Sequence, residues 1–432
     1  MEIVHSKVQF YLYFVLLNVQ FTGFFVLLNL QFEVFMEVLI QYQDNILRAV
    51  TNSFRRYLHS TINWNQKMIG IKGPRGAGKT TLMLQHFKFD LGALVSKALY
   101  VTADHTWFYN HTLLETATDW FRNGGRILFI DEVHKYPGWS RELKNIYDGL
   151  PEMKVIFSAS SALDIYRGEA DLSRRVINYT LAGLSFREYL IFTENLSLES
   201  YNIEDIRLKH REIAVSILEK MQPLPLFNKY LQIGYLPIIV EGEAEYLPKL
   251  EQVINAIVDT DLAYIASYNA GTAVKVKRLL GVIAESAPFK PNISALARKM
   301  EINRESIYDY IYQLRDARLL NIIATDGKGI SRLQKPDKIF LENTNLAYAI
   351  DPNPDKGNIR ETFLLNQLLN AGKEVFTPVN GDFLTEGLTI EVGGKSKTSK
   401  QIKDAASSIV AADDIETGFD KKIPLWLFGF LY

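Results

Sequence analysis

The run Gly73-Pro74-Arg75-Gly76-Ala77-Gly78-Lys79-Thr80 fits G-x-x-x-x-G-K-[ST] with no mismatch, and it limits the possible folds more than any other stretch of the chain. Met68-Ile69-Gly70-Ile71 before it reads as a buried strand. Thr81-Leu82-Met83-Leu84-Gln85-His86-Phe87 after it reads as the first turns of a helix. A strand feeding a glycine-rich loop that opens a helix brings backbone N–H groups together on an anion, with the positive end of the helix behind them. The spacing therefore predicts a phosphate cradle formed by Gly73, Pro74, Arg75, Gly76, Ala77, Gly78, Lys79, Thr80 and Thr81. Lys79 reaches the β- and γ-phosphates, and the Thr80 hydroxyl takes a place on Mg²⁺. The competing reading is an ordinary glycine-rich turn.

A second motif lies about fifty residues on. Arg126-Ile127-Leu128-Phe129-Ile130-Asp131-Glu132 is four apolar residues followed by two carboxylates. The apolar run reads as a central parallel strand, hydrophobic on both faces. Asp131 at its end is placed to hold the Mg²⁺ shell, and Glu132 to polarise an attacking water as general base. Lys154-Val155-Ile156-Phe157 then runs into Ser158-Ala159-Ser160-Ser161. Ser158 or Ser160, at the end of a central strand, is a candidate to orient that water beside the nucleotide; the alternative is a strand that ends in serines. Arg174 or Arg175, on the loop from Gly168, is a candidate arginine finger acting in cis or across a subunit boundary, Arg175 being the one named as catalytic here; a solvated basic turn is the alternative. His134 is a candidate sensor of the γ-phosphate, set against a satisfied polar residue near the site.

The chain is 432 residues long, enough for two or three domains. Its net charge of −1 gives no global field that draws nucleic acid or acidic lipid. Cysteine is absent, which excludes disulfides and thiolate metal sites and fits a reducing, cytoplasmic setting. Residues 1–35 differ from the rest. Val8-Gln9-Phe10, Val19-Gln20-Phe21 and Leu30-Gln31-Phe32 recur every eleven residues, and no charge lies between Lys7 and Glu33. That length is enough for a membrane span, yet three Gln and two Asn would enter the hydrocarbon and no basic cluster flanks it. The preferred expectation is a start at Met36, with the repeat an artefact of gene calling and no membrane association.

Strands alternate with helical patterns over 36–190: Met68–Ile71, Ala98–Thr102, Ile127–Ile130, Val155–Phe157 and Val176–Thr180. The expected class is α/β, a P-loop parallel sheet with helices on both faces, after a leading helix over Gln41–His59. Helical stretches over 191–270, such as Ile213–Met221 and Tyr246–Ile265, suggest a lid, with Gln222-Pro223-Leu224-Pro225 and Gly234-Tyr235-Leu236-Pro237 as turns. Residues 271–340 read as helices Ala273–Glu285, Ile293–Met300 and Asn303–Leu314, then a hairpin tipped by Asp326-Gly327-Lys328-Gly329: a winged helix-turn-helix. This stretch holds thirteen Lys/Arg against seven Asp/Glu, a modest footprint for DNA phosphates; packing on the sheet domain as a lid is the alternative. Residues 341–432 read as an α+β domain with helix Ile359–Asn370 and a hairpin turning at Glu386-Gly387. Glu361, Asp382 and Glu391 with Lys395 suit Mg²⁺-assisted phosphodiester cleavage, although Lys395 stands later than that pattern wants and the site reads as degenerate. Lys395, Lys397, Lys400 and Lys403 form a basic run open to nucleic acid or to solvent.

Three segments together resemble prokaryotic AAA-type (STAND-related) ATPases that carry a C-terminal domain of unknown function. They are the loop at Gly73–Thr80, Ile130-Asp131-Glu132-Val133-His134-Lys135, and Gly183-Leu184-Ser185-Phe186-Arg187-Glu188-Tyr189-Leu190. The resemblance covers about residues 40–432, and in that family the tail is similar to the PDDEXK nuclease fold. It implies ATP and Mg²⁺ binding with hydrolysis, carried onto Lys79, Thr80, Asp131 and Glu132, with a homo-oligomer and DNA as open partners. A nucleotide-gated switch with little turnover, binding DNA or protein, is the competing function, and a metal-dependent nuclease a third.

Overall fold

The computed structural model describes residues 36–160, 172–263, 268–325 apart from 286, 287 and 289, and 336–432 apart from 403, 404 and 406. The eleven-residue repeat, Ser161, the loop 168–171, the tip 326–329 and Lys403 lie outside the described residues.

Five strands form the first sheet: β1 (Met68–Gly73), β2 (Ala98–Thr102), β3 (Ile127–Asp131), β4 (Lys154–Ser160) and β5 (Ile177–Thr180). Their order is β2-β3-β4-β1-β5, and every pairing is parallel. The central strands are buried along their length because both faces are covered. Leu128 and Ile130 point into one apolar layer with α4 (Leu113–Arg122) and α5 (Trp139–Gly149), whereas Ile127 and Phe129 point into the other with α3 (Lys79–Phe89). The expected α/β class with a parallel sheet holds. β1 lies between β4 and the edge strand β5, so the loop that follows β1 opens beside the end of β4 at the C-terminal edge of the sheet.

The leading helix is shifted from its expected place. Helix α1 covers 36–49, the chain leaves helical geometry over 50–57, and α2 is the short Leu58–Thr61. Thr51-Asn52-Ser53 explains the break, since such side chains offer the backbone local hydrogen bonds that compete with a helix. The prolines at 223 and 225 do not make a turn either. They sit in the first turn of a helix over Pro223–Ile233, where a missing N–H costs nothing. The long helix expected to Ile265 is α-helical over Glu243–Ala256 and continues as a π-helical turn, Ile257–Leu262.

Helices Ala270–Ala284, Ile293–Met300 and Arg304–Asp316 follow. The Asn303 side chain caps the last by accepting from the Ser306 N–H at 2.7 Å. β6 (Leu320–Ile323) and β7 (Lys338–Leu341) pair antiparallel beside them. Beyond helix Lys356–Asn370, the tail holds a second sheet of β8 (Phe383–Thr385), β9 (Leu388–Gly393), β10 (Ser408–Ala412) and β11 (Lys422–Pro424), ordered β11-β10-β9-β8. One apolar cluster runs from Leu184 through these helices to Phe430, and the terminal run Leu425–Phe430 is buried within it. The tail therefore shares its core with the segment that follows β5.

Candidate functional site

The loop after β1 turns on two glycines whose backbone no side chain favours: Gly76 at φ 82° and Gly78 at φ 90°. Helix α3 starts at the next residue, Lys79. Lys79 is buried, and its Nζ donates to the Gly73 and Pro74 carbonyls at 3.0 and 3.1 Å. Burial holds this amine below its ordinary value, and the nearby Glu132 and Asp131 carboxylates work against that shift.

Asp131 ends β3 beside the loop. Its Oδ2 accepts from Thr80 Oγ1 at 2.7 Å and from the Tyr100 hydroxyl at 3.0 Å. Its Oδ1 accepts a short bond from Ser158 Oγ. Ser158 in turn accepts from the Glu132 N–H at 2.9 Å. The serine is fully buried in this bridge, so here it orients the two acids and does not line the cavity. Glu132 takes the left-handed conformation, φ 52°, which carries its side chain off the strand line to the cavity wall. Burial raises its carboxyl above the usual range, with Lys79 opposing. His134 is buried and pushed down to about 4 by burial, so it stands neutral. Neither of its ring nitrogens has a hydrogen-bond partner among the described residues, and Nε2 lies 3.8 Å from Glu132 Oε2.

Arg75, Gly76, Gly78, Lys79, Thr80, Thr81 and Glu132 surround a cavity of about 520 Å³. Its other walls did not stand out in the sequence: Thr51, Ser53 and Phe54 from the break after α1, Phe192 from α6 (Phe186–Glu194), and Pro237, Ile238, Val240 and Glu241. Phe54 and Phe192 lie 4.7 Å apart between ring centroids, an apolar wall beside the polar loop. Arg175 is not brought to this cavity. Its guanidinium forks onto Asp148 near the end of α5 with two 2.9 Å contacts.

Residues 65–190 match the AAA domain family. The matched stretch takes in β1 to β5, the phosphate loop and both acids. An uncharacterized protein of Methanocaldococcus jannaschii is 27% identical over 397 residues, 84% of this chain and 82% of that protein. Among solved structures, AMPPCP-bound DnaA from Aquifex aeolicus covers 60% of this chain and 84% of its own, at 16% identity and a TM-score of 0.27. The Aeropyrum pernix ORC1 protein in complex with DNA covers 72% and 91%, at 11% identity and a TM-score of 0.29. Likenesses this slight carry no argument about either fold or ligand. Among the described residues no helix is long and apolar enough to cross a membrane.

The sheet domain is tied to the rest of the chain through the last segment of the matched stretch. Ser185 caps α6 in a reciprocal box with Glu188. Glu188 is buried and paired with Arg56, at 3.1 Å from both Nε and Nη2. Arg56 also donates to the Ala77 carbonyl of the phosphate loop at 2.5 Å and to the Ala182 and Gly183 carbonyls at 2.8 Å. Arg187 Nε and Ser185 Oγ both donate to the Tyr432 carbonyl at 2.9 Å. Leu184, Phe186 and Tyr189 fill the shared core. The run Leu184-Ser185-Phe186-Arg187-Glu188-Tyr189 is thus a junction that holds the break after α1 and the tail directly and reaches the loop through Arg56. Arg56 lies past the end of α1 at 49, and there it is a buried clamp.

In the tail the three carboxylates gather, with a different lysine. Glu391 is 1% exposed and its Oε1 meets Lys397 Nζ at 2.5 Å. Lys395, the residue expected there, offers only its carbonyl, to Lys422. The two glycines after Val392 carry the strand on, so that the turn brings position 397 back over the sheet. Asp382 Oδ2 accepts from the Val392 N–H, and Glu361 Oε2 lies 3.9 Å from Lys338. Burial first, then the Asp382 and Glu391 charges, push Glu361 up to about 7, with Lys338 and Lys397 opposing.

Proposed function

We propose that this chain is an AAA-type ATPase that binds ATP with Mg²⁺ at the loop between β1 and α3 and hydrolyses it. The observation that carries the reading is the 2.7 Å contact of Thr80 with Asp131 beside Lys79, on the rim of a cavity walled by Glu132. A hydroxyl and a carboxylate so placed are the donor set a hard dication takes in P-loop sites. When bound, Mg²⁺ neutralises charge that develops on the transferring phosphoryl group. The protein's own contribution is positional. Backbone N–H groups at the start of α3 hold the phosphates. Lys79 exchanges the Gly73 and Pro74 carbonyls for phosphate oxygens. Ser158 fixes Asp131 and the Glu132 backbone together, so the metal-side acid and the base keep one geometry. Glu132 takes the proton of the attacking water. His134, neutral and with no hydrogen-bond partner on its ring nitrogens among the described residues, stands ready to donate or accept beside it.

Turnover is coupled to the modules beyond the AAA domain through Arg75. Its Nη2 holds Asp261 Oδ1 at 2.9 Å, and Asp261 is 2% exposed with its other oxygen unbonded among the described residues. Asp261 sits in the π-helical turn that precedes helix Ala270–Ala284, the start of the three helices and ribbon that we read as a winged helix facing DNA. A phosphate that draws Arg75 away leaves a buried carboxylate unpaired, and that strain moves the turn. Asp261→Asn is expected to tighten ATP binding roughly fivefold, the equivalent of a part-exposed pair worth about 1 kcal/mol, and to abolish any stimulation of turnover by DNA. Calorimetric ATP titration and a steady-state assay with and without duplex DNA check both. Unchanged affinity together with an unchanged DNA response contradicts the coupling. Tight binding with no turnover in the wild type favours the nucleotide-gated switch.

The tail supports a second reading, metal-dependent phosphodiester cleavage. Glu361 Oε2 and Glu391 Oε2 are buried without a hydrogen-bond partner among the described residues; Asp382 and Glu391 stand near enough to raise the Glu361 carboxyl but do not converge on one point, so a divalent cation would have to draw the three together. Lys397 is placed to steady a scissile phosphate. The raised Glu361 carboxyl gives a pH test. Its stabilising protonated form is present in the fold below the ordinary carboxylate range and is lost as pH rises through about 7. Glu361→Gln is therefore expected to change stability little at acid pH and to raise it by about 2 kcal/mol at alkaline pH. Added Mn²⁺ stabilises the wild type there but not the variant. Thermal melts over that range, with and without Mn²⁺, check this. A melting point that Mn²⁺ leaves unmoved removes the metal-site reading.

A further inference from the structure

A second cluster of ligating side chains lies at the far end of α3 from the phosphate loop. His86 sits in the last turn of that helix and Asp90 is its C-cap residue. His59 comes from α2, across a gap in sequence of more than twenty residues. His59 Nε2 lies 2.8 Å from Asp90 Oδ2, and His86 Nδ1 lies 3.2 Å from the same oxygen. One ligand atom from each of the three falls within 4.8 Å of the other two. Four ligands placed tetrahedrally around zinc stand about 3.3 Å from one another, so small side-chain adjustments close this triangle on an ion.

We propose that His59, His86 and Asp90 form a binding site for a transition-metal dication of the zinc type. Two imidazoles and one carboxylate are a borderline-soft donor set that favours such an ion over Mg²⁺ or Ca²⁺. The surroundings fit that use. Trp64 stacks on the His86 ring at 3.8 Å between centroids and 9° between planes, which fixes the direction of its ligating nitrogen. The Trp64 indole N–H is itself held by the His59 carbonyl at 3.0 Å. The carbonyl end of α3 adds negative potential at the site, as the amide end adds positive potential at the loop. Asp90 is part-exposed, which gives entry and room for a water as fourth ligand, and Arg55 and His59 also line a neighbouring groove of about 430 Å³.

Arg55 sets the strength of the site. Its Nη1 holds Asp90 Oδ1 at 3.0 Å, Oδ2 at 3.2 Å and the His59 ring nitrogens at 3.2 and 3.4 Å. An ion must share Asp90 with this guanidinium, so its positive charge weakens cation binding. Arg55 also neighbours Arg56 and the cavity residues Thr51, Ser53 and Phe54. Bound metal would pin this segment to α3, whose other end carries Lys79. The site itself does not depend on the assignment of ATP to the loop.

The test uses the full chain stripped with a chelator and titrated with Zn²⁺ by calorimetry, and with Co²⁺ by visible absorption, just above neutral pH. One saturable equivalent of Zn²⁺ is expected, with a Co²⁺ d–d band that Zn²⁺ bleaches. Asp90→Asn and His59→Gln each weaken Zn²⁺ binding by at least roughly tenfold, whereas Arg55→Gln tightens it. Both weakening variants keep side-chain size at part-exposed positions, and their circular dichroism reports the fold separately. No saturable Zn²⁺ uptake by the wild type, or an affinity that neither weakening variant changes, overturns the proposal.

Discussion

Glu132→Gln is expected to keep ATP bound and to lose nearly all hydrolysis. The amide has the carboxylate's size and leaves the Glu132 N–H bond to Ser158 in place, so the loop, Thr80 and Asp131 stay as they are. What goes is the group that accepts the proton of the attacking water. Removing a positioned general base costs about 10²- to 10⁴-fold in kcat, while the ATP dissociation constant should move by less than about threefold, since no phosphate contact is removed. The wild-type enzyme carries a matching pH signature. Because burial raises the Glu132 carboxyl, the base is lost to protonation at a higher pH than an exposed glutamate would be. Turnover therefore climbs with pH through that raised value and is flat above it, and the climb is absent in the variant. Single-turnover hydrolysis beside equilibrium binding checks both. A drop in kcat below tenfold moves the base elsewhere, with His134 the nearest candidate.

The second large effect is on stability and does not involve the nucleotide. Arg56→Ala is expected to destabilise the protein by about 3–5 kcal/mol. The substitution strands Glu188, which is 1% exposed, without its counter-charge. It also unties the Ala77, Ala182 and Gly183 carbonyls from one another. Burial works against the charge on Arg56, and Glu188, with Tyr57 and Tyr432 beside it, outweighs that effect. Removing both charges together, Arg56→Met with Glu188→Leu, should recover part of the loss, because no lone ion is then left buried. Urea or thermal unfolding of the two variants beside the wild type checks this. A cost under about 1 kcal/mol for Arg56→Ala would mean that the pair is solvated and is not the clamp described here.

The phosphate loop and the two acids were legible because each is local. A loop of fixed length between a strand and a helix, and an apolar run ending in acids, carry their chemistry within eight residues. The same holds for the strands, whose apolar runs set their lengths. The rest of the cavity was not legible. Thr51, Ser53 and Phe54 face the loop only because α1 stops at 49, and the sequence from Gln41 to His59 also suits a continuous helix. Arg56 and Glu188 stand 132 residues apart, and nothing in either neighbourhood signals the other. Lys397 in place of Lys395 depends on how two glycines bend after β9, a matter of backbone path that spacing alone does not settle. The His59–His86–Asp90 group was missed for the same reason: the histidines belong to different helices, and only packing against Trp64 brings them together.

The central claim is that Lys79, Thr80 and Asp131 grip a triphosphate with its magnesium. Equilibrium ATP binding to the full chain, with Mg²⁺ and with chelator, for the wild type and for Lys79→Ala, tests it most directly. The account predicts affinity that needs Mg²⁺ and falls at least roughly a hundredfold in the variant, the loss of a buried charge-assisted contact worth about 3 kcal/mol. Equal affinity in the two proteins, or binding indifferent to Mg²⁺, contradicts it.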